Sequence, residues 1–183
     1  GPPSADFTIR AALQNRAVDM ALITHPHRDH NGALASLTRD EVLTSQSLKT
    51  FHAGDLIELD PELLIQVLAP PESAGPNNPN DHSVVPLIRH GDITFLRLGD
   101  AERRTEQFLV ETWSPLLTAN VVKVAHHGAK TSSHPFLVSR LGEPDAARFA
   151  IISVAAQNRF GLPDESVIHT WQENGYTLMS TAE

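Results

Sequence analysis

The chain contains no cysteine. That excludes disulfides and thiolate metal ligands, and it leaves the compartment open. It also lacks an apolar run near the ~18 residues that a membrane span requires, and it carries no signal-peptide pattern. Basic residues are in deficit, with 14 Lys and Arg against 22 Asp and Glu, a formal net charge of −8. Such a balance argues against broad, non-specific attachment to nucleic acid. Bound divalent cations would offset part of it locally, because an ion is often the largest charge in its site. At 183 residues the chain is long enough for one core, and a single domain over 1–183 is expected.

Against these absences stands a concentration of histidine. Residues 24–30 read T-H-P-H-R-D-H, directly after an apolar run over 18–23. Neutral imidazoles and carboxylates are the ligands that zinc, manganese and iron prefer. His25 and His27 are two apart, so extended backbone points both to one side. Asp29 and His30 follow where the chain turns into a helix, and can aim at a second point nearby. One short segment can therefore start two metal sites. The plainer reading is a histidine-rich surface loop. Further ligand-type residues weigh against it: His82 in N-D-H-S, Asp100 in L-G-D-A-E, and His126 and His127 in V-A-H-H-G-A-K-T-S-S. Each lies at the edge of an apolar, strand-like segment (84–88, 93–98 and 121–125), which is how rigid elements present a site.

Strand-like and helix-like segments alternate through the rest of the chain. A buried strand is expected over 18–24, then a helix over 32–43 with Asp29 or Asn31 able to cap its start. Hairpins are expected over 56–59 and 63–69, turning at Asp60-Pro61-Glu62, and over 84–89 and 93–98, turning at His90-Gly91-Asp92. Residues 70–80 read as a loop delivering Asp81 and His82. A helix over 102–112 should face Phe108 and Leu109 inward. Buried strands are expected over 121–125 and 149–154. A last helix over 164–173 should be capped by Asp164 and stopped by Asn174-Gly175. By themselves these elements support only an α/β or α+β class.

The ordered set of motifs resembles the metallo-β-lactamase fold superfamily, whose H-x-H-x-D-H motif is followed by a histidine, an aspartate and a last histidine. Four stretches are similar to the hydrolase domain of ComEC-type DNA-uptake proteins: N-D-H-S-V-V-P-L, F-L-R-L-G-D-A-E, V-V-K-V-A-H-H-G-A-K-T-S-S and I-I-S-V-A-A-Q-N-R-F-G-L-P. The resemblance implies a four-layer αβ/βα sandwich, with strands missing at both ends relative to the family. Gly1-Pro2 matches the remnant left by a common tag protease. The resemblance implies two divalent ions, Zn²⁺ or Mn²⁺, with His25, His27 and His82 on the first and Asp29, His30 and the last histidine on the second. Asp100 would bridge them. Of the adjacent pair, His127 is the favoured ligand, with His126 facing substrate or orienting a ligand. Asp29, Asp100 and His126 are then the catalytic candidates.

Two ions held about 3.5–4 Å apart favour in-line displacement at phosphorus by a bridging hydroxide. Lys130, Thr131, Ser132 and Ser133 offer a cation, hydroxyls and N–H groups to a phosphodiester backbone. Their plainer reading is a helix start. Asn158 resembles a family asparagine near the site, and otherwise reads as a turn residue. Asn80 and Ser83 could orient the His82 loop. Many relatives have asparagine at the position of His82 and histidine at that of Leu162. His52, His90, His134 and His169 fall outside the pattern and are expected to be solvated.

The implied function is a metal-dependent deoxyribonuclease, degrading one strand during DNA uptake, on single-stranded or duplex DNA. The implied setting is a membrane protein whose hydrolase domain is soluble, extracytoplasmic and free of membrane contact, or a cytoplasmic protein if stand-alone. Alternatives are another hydrolase of the fold (β-lactamase, lactonase, thioesterase or phosphorylcholine esterase) and a non-enzymatic scaffold. A basic groove near Lys123, Lys130, Arg140 and Arg159 would favour nucleic acid.

Overall fold

The computed structural model describes residues 3–14, 16, 21–33, 51–73, 78–142 and 147–182. The chain divides into two compact units, Gly1–Thr50 and Phe51–Glu183.

The described residues of the first unit hold helix α1 (Asp6–Leu13) and the single helical turn α2 (Arg28–Asn31). The expected strand over 18–24 is absent over 21–24, and residues 18–20 lie outside the described set. A strand needs a bonded neighbour, and the described residues of this unit include no other strand. Of the expected helix over 32–43, residues 34–43 lie outside the described residues, and Gly32 and Ala33 form a turn. Before them runs the helical turn α2 from Arg28, which neither Asp29 nor Asn31 caps. His27 takes the N-cap position, because a cap must precede the first helical residue and both candidates lie within the turn. Asn31 instead donates through Nδ2 to the Pro26 carbonyl at 3.0 Å.

The second unit is built on one seven-stranded sheet in the order β1 (Leu56–Asp60), β2 (Leu63–Ala69), β3 (Val85–His90), β4 (Ile93–Arg97), β5 (Val121–Lys123), β6 (Phe149–Ile152) and β7 (Thr177–Ser180). The first three pairings are antiparallel and the last three parallel. Both expected hairpins form. At the first, Asp60 Oδ1 accepts from the N–H groups of Glu62 and Leu63 at 2.8 and 2.9 Å, an aspartate turn that leaves Pro61 no donor to satisfy. At the second, Gly91 supplies the positive φ of 56° that a two-residue hairpin needs. The parallel half requires crossovers, and α3 (Arg103–Trp113) and α4 (Pro135–Val138) lie in two of them. The last crossover carries α5 (Glu165–Glu173), capped as expected by Asp164 Oδ1 accepting from Ser166 N at 3.0 Å. Strand β7 has no counterpart in the sequence reading, because four residues at a sheet edge carry too little apolar alternation to stand out.

Register explains the core. Leu87, Leu96, Val122, Ala150 and Leu178 are cross-strand partners in one row. That face packs against Leu109 of α3, Leu137 and Val138 of α4, and Val167 and Trp171 of α5. Phe108 is partly buried beside them. Fully burying a side chain such as Leu96 contributes about 2 kcal/mol. Trp113 Nε1 donates to the Leu68 carbonyl at 2.8 Å, which ties the end of α3 to β2. The opposite face leaves Ile93, Phe95, Phe149 and Met179 exposed. No helix among the described residues is long and apolar enough to cross a membrane.

Candidate metal centre

In the first unit, the T-H-P-H-R-D-H segment folds back on itself through α2. Thr24 organises it. Its Oγ1 lies 3.3 Å from His25 Nδ1 and 3.1 Å from His30 Nδ1. A hydroxyl oxygen can accept from both rings. Engaging Nδ1 in this way turns Nε2 to the side that metal-bound histidines present. His25 Nε2 and His27 Nδ1 are 3.0 Å apart, and the rings meet edge to face at 79°. Tetrahedral zinc with imidazole bonds near 2.0–2.1 Å sets its nitrogens about 3.3 Å apart, so this pair fits a shared ion. His30 Nε2 and Asp29 Oδ2 approach to 3.5 Å, a second pair of donors on the same turn.

In the second unit, two loops at the ends of strands carry the remaining candidates. Asp100 follows β4 after a turn at Gly99 (φ 57°), and its N–H donates to Ser83 Oγ at 3.0 Å. Residues 126–128 follow β5 in a turn where three successive residues take left-handed backbone: His126 (φ 46°), His127 (φ 55°) and Gly128 (φ 82°). Each non-glycine there costs roughly 1–2 kcal/mol. Such strain persists only where the surroundings impose it, as at functional sites. The left-handed backbone sends the two rings apart. His127 Nδ1 donates to the Ser153 carbonyl at 2.6 Å. Its Nε2 lies 3.9 Å from Asp100 Oδ2, with the ring pinned from behind in the way metal-bound histidines usually are. His126 Nδ1 instead meets Glu102 Oε1 at 3.1 Å.

Glu102 ties three segments together. Its carboxylate also accepts from Thr131 Oγ1 at 3.2 Å, Asn80 Nδ2 at 3.1 Å and Asn78 Nδ2 at 2.9 Å. The His82 loop and the H-H-G turn are thus fastened to one side chain. Glu106, one turn later on α3, is fully buried. It accepts from the backbone N–H groups of Ser133 and His134, the latter at 3.0 Å, and from His134 Nδ1 at 2.7 Å. Burial pushes the Glu106 carboxyl up, against the opposing pull of these bonds.

Several expected residues take other roles. Ser132 and Ser133 are buried, and the Ser132 hydroxyl is spent on the Ala125 and Ala129 carbonyls. Both lie in the interior of the loop. Asn158 is saturated by its own turn, donating to the Ala155 and Leu162 carbonyls and accepting from Leu162 N. His134, expected to be solvated, is held by Glu106. His90 and His169 are exposed as expected, His169 pairing with Glu173 at 3.0 Å. Lys123 Nζ donates to the Gly99 carbonyl at 3.2 Å. Lys130 is exposed. His82 closes the 3₁₀ turn Pro79–His82 and joins no ligand-type group among the described residues. Thr24, Glu102 and Glu106 were missed in the sequence. Their only signal is a hydroxyl before the histidines and two acids spaced one helical turn apart.

No family model matches the chain. Over 190 residues it is 25% identical to ComE operon protein 3 of Bacillus subtilis, covering 91% of this chain and 24% of that protein. Over 194 residues it is 28% identical to Recombination protein 2 of Haemophilus influenzae, covering all of this chain and 24% of that protein. The chain thus spans about a quarter of the length of these curated relatives. A crystal structure described as a metal-dependent hydrolase, from Parabacteroides distasonis, superposes with a TM-score of 0.56 at 14% identity, covering 90% of this chain and 76% of that one. At that identity the likeness is one of fold, an α/β sandwich.

Proposed function

From its relation to ComEC-type proteins, we propose that this chain is a metal-dependent phosphodiesterase acting on DNA. By motif order, His25, His27 and His82 would hold one divalent ion and Asp29, His30 and His127 a second, with Asp100 shared. The observation that carries this reading is the orientation of the imidazoles. Thr24 and the Ser153 carbonyl engage the Nδ1 atoms of His25, His30 and His127, the arrangement in which metal-bound histidines present Nε2 to the ion. The place of His82 rests on motif order alone. When bound, two divalent ions supply positive charge for the phosphoryl oxygens and a low-pKa water. The chain's own residues orient and hold. Glu102 fixes His126 through Nδ1, so that its Nε2 is the atom left to meet substrate or leaving group. Thr131, bonded to the same carboxylate, keeps the loop after the H-H-G turn in place. Exposed Lys130 is available to a phosphate. A setting in DNA uptake or recombination is supported by the names of the relatives.

Incubation with single- and double-stranded oligonucleotides and a series of divalent metals, beside nitrocefin and lactone substrates, tests this. Metal-dependent strand cleavage that His27→Ala and Asp100→Asn each abolish is the expected result. Metal content should also fall in both variants. Lactam or lactone turnover without strand cleavage would replace the reading with another hydrolase.

A further inference from the structure

A cavity of about 400 Å³ opens in the second unit beside the H-H-G turn, lined by Asp81, Glu102, Arg103, Arg104, Thr131 and His134. Its charges are unevenly satisfied. Glu102 is saturated by Asn78, Asn80, Thr131 and His126, and Asp81 Oδ1 accepts from Thr105 Oγ1 at 3.2 Å. Arg103 and Arg104 form no ion pair among the described residues. They also occupy the first two positions of α3, where the helix dipole favours anions and disfavours cations. The cap residue, Glu102, makes no side-chain bond to the N–H groups of the first turn. Two cations held where the helix dipole opposes them, and paired with none of the nearby carboxylates, mark a departure from local rules of the kind that functional sites show. Arg103 is also pre-positioned, its guanidinium 5.6 Å from the centroid of the Phe136 ring. That ring stacks on His134 at 5.4 Å and 24°, and His134 is pinned in turn by Glu106. A guanidinium held on a ring loses little freedom when it binds an anion.

We propose that this cavity is a subsite for single-stranded DNA, in which Arg103 and Arg104 bind the phosphate next to the one that is cleaved. The assignment rests on the phosphodiesterase reading, and it places the strand along the N-terminal end of α3. The basic residues singled out in the sequence, Lys123, Lys130, Arg140 and Arg159, do not line the cavity. Planar guanidinium groups fit phosphate oxygens in a bidentate way. The two side chains and the uncapped N–H groups together give the cavity the donors a phosphate needs.

The test compares the Mn²⁺-loaded protein with Arg103→Gln/Arg104→Gln, which keeps part of each stem. Cleavage of a labelled single-stranded oligothymidylate gives KM and kcat, and fluorescence anisotropy gives binding against salt. The variant should raise KM about tenfold or more. It should also flatten the slope of log affinity against log salt by about 0.7, for the one single-strand phosphate contact that is lost. Equal KM and equal slope in wild type and variant would overturn the subsite. Wild type is assayed in parallel on bis(p-nitrophenyl) phosphate, a diester too small to span cavity and metals. Turnover of that compound without oligonucleotide binding would overturn the subsite and leave the phosphodiesterase. Inactivity on both would overturn the reading beneath it. A thermal melt and a metal assay of the variant show whether it folds and loads normally.

Discussion

The two histidine motifs solve the same problem by different means. The T-H-P-H-R-D-H segment of the first unit is organised within itself. Thr24 engages two of its rings, and one helical turn brings Asp29 and His30 together. The H-H-G-A-K-T-S-S segment of the second unit is organised from outside. Its left-handed backbone is held by Glu102, by the Ser153 carbonyl, by Glu106 and by close packing against Pro163. A motif of the first kind needs little from the rest of the chain. One of the second kind stores strain that distant residues must impose. Damage to the supports of the second motif should therefore reach stability and activity together, whereas damage to the first should spare stability.

The largest effect is expected at Glu106. Glu106→Ala leaves two backbone N–H groups and the His134 ring without their buried acceptor, and should cost about 3 kcal/mol or more, read by chemical denaturation. Glu106→Gln tests the charge. Because burial raises the carboxyl above its unfolded value, the folded protein holds this proton to higher pH than the unfolded chain. The stability from this group is full below the ordinary carboxylate range and declines as pH rises through the raised value. The glutamine variant should lack that decline. A wild-type curve with the opposite slope there would show that the hydrogen bonds outweigh burial.

Gly128 comes next. It sits at φ 82°, and a Cβ placed on it would lie 2.6 Å from Pro163 Cβ. Gly128→Ala thus combines an unfavourable backbone region with a collision against a ring that cannot swing aside. A loss of roughly 2–4 kcal/mol is expected, with loss of activity. An unchanged melting temperature would mean that the 161–163 loop moves away freely, and the contrast between the two motifs would weaken.

The smallest stability effect is expected in the first motif. His27 is exposed, so His27→Ala should change the stability of the metal-free protein by no more than about 0.5 kcal/mol. What it should remove is the extra stability that added Zn²⁺ or Mn²⁺ confers on the wild type, since a ligand that binds only the folded state stabilises in proportion to its affinity. Paired melts with and without metal measure both. A large loss in the metal-free protein would show that this motif, too, serves the fold.

Much of the second unit could be read from the chain. Asp60-Pro61 and His90-Gly91 mark their turns because turn chemistry depends on a few adjacent residues. Asp164 and Gly175 mark the bounds of α5 for the same reason. The reading failed where an element depended on a distant partner. Residues 21–24 are apolar enough for a strand but have no strand beside them among the described residues of their unit. Thr177–Ser180 is barely patterned, yet pairs with β6. Ser132 and Asn158 have residue types that suit a substrate face, and bonds within their own loops consume them. His134 looked idle and is engaged.

The sequence by itself determined the chemistry available to this protein. Imidazoles and carboxylates occur in the order and spacing of paired metal sites, with no thiol to compete, and this follows from covalent order along the chain. Which ring nitrogen of His127 the fold engages was decided only by the tertiary structure, as were the separation of His126 from His127 and the placing of Arg103 and Arg104 on a cavity wall. Those outcomes depend on partners 22 to 29 residues away, as for Glu102 with Asn78, Asn80, His126 and Thr131. Hydrogen bonds act over about 3 Å in space, and a linear pattern carries no distance of that kind between residues so far apart.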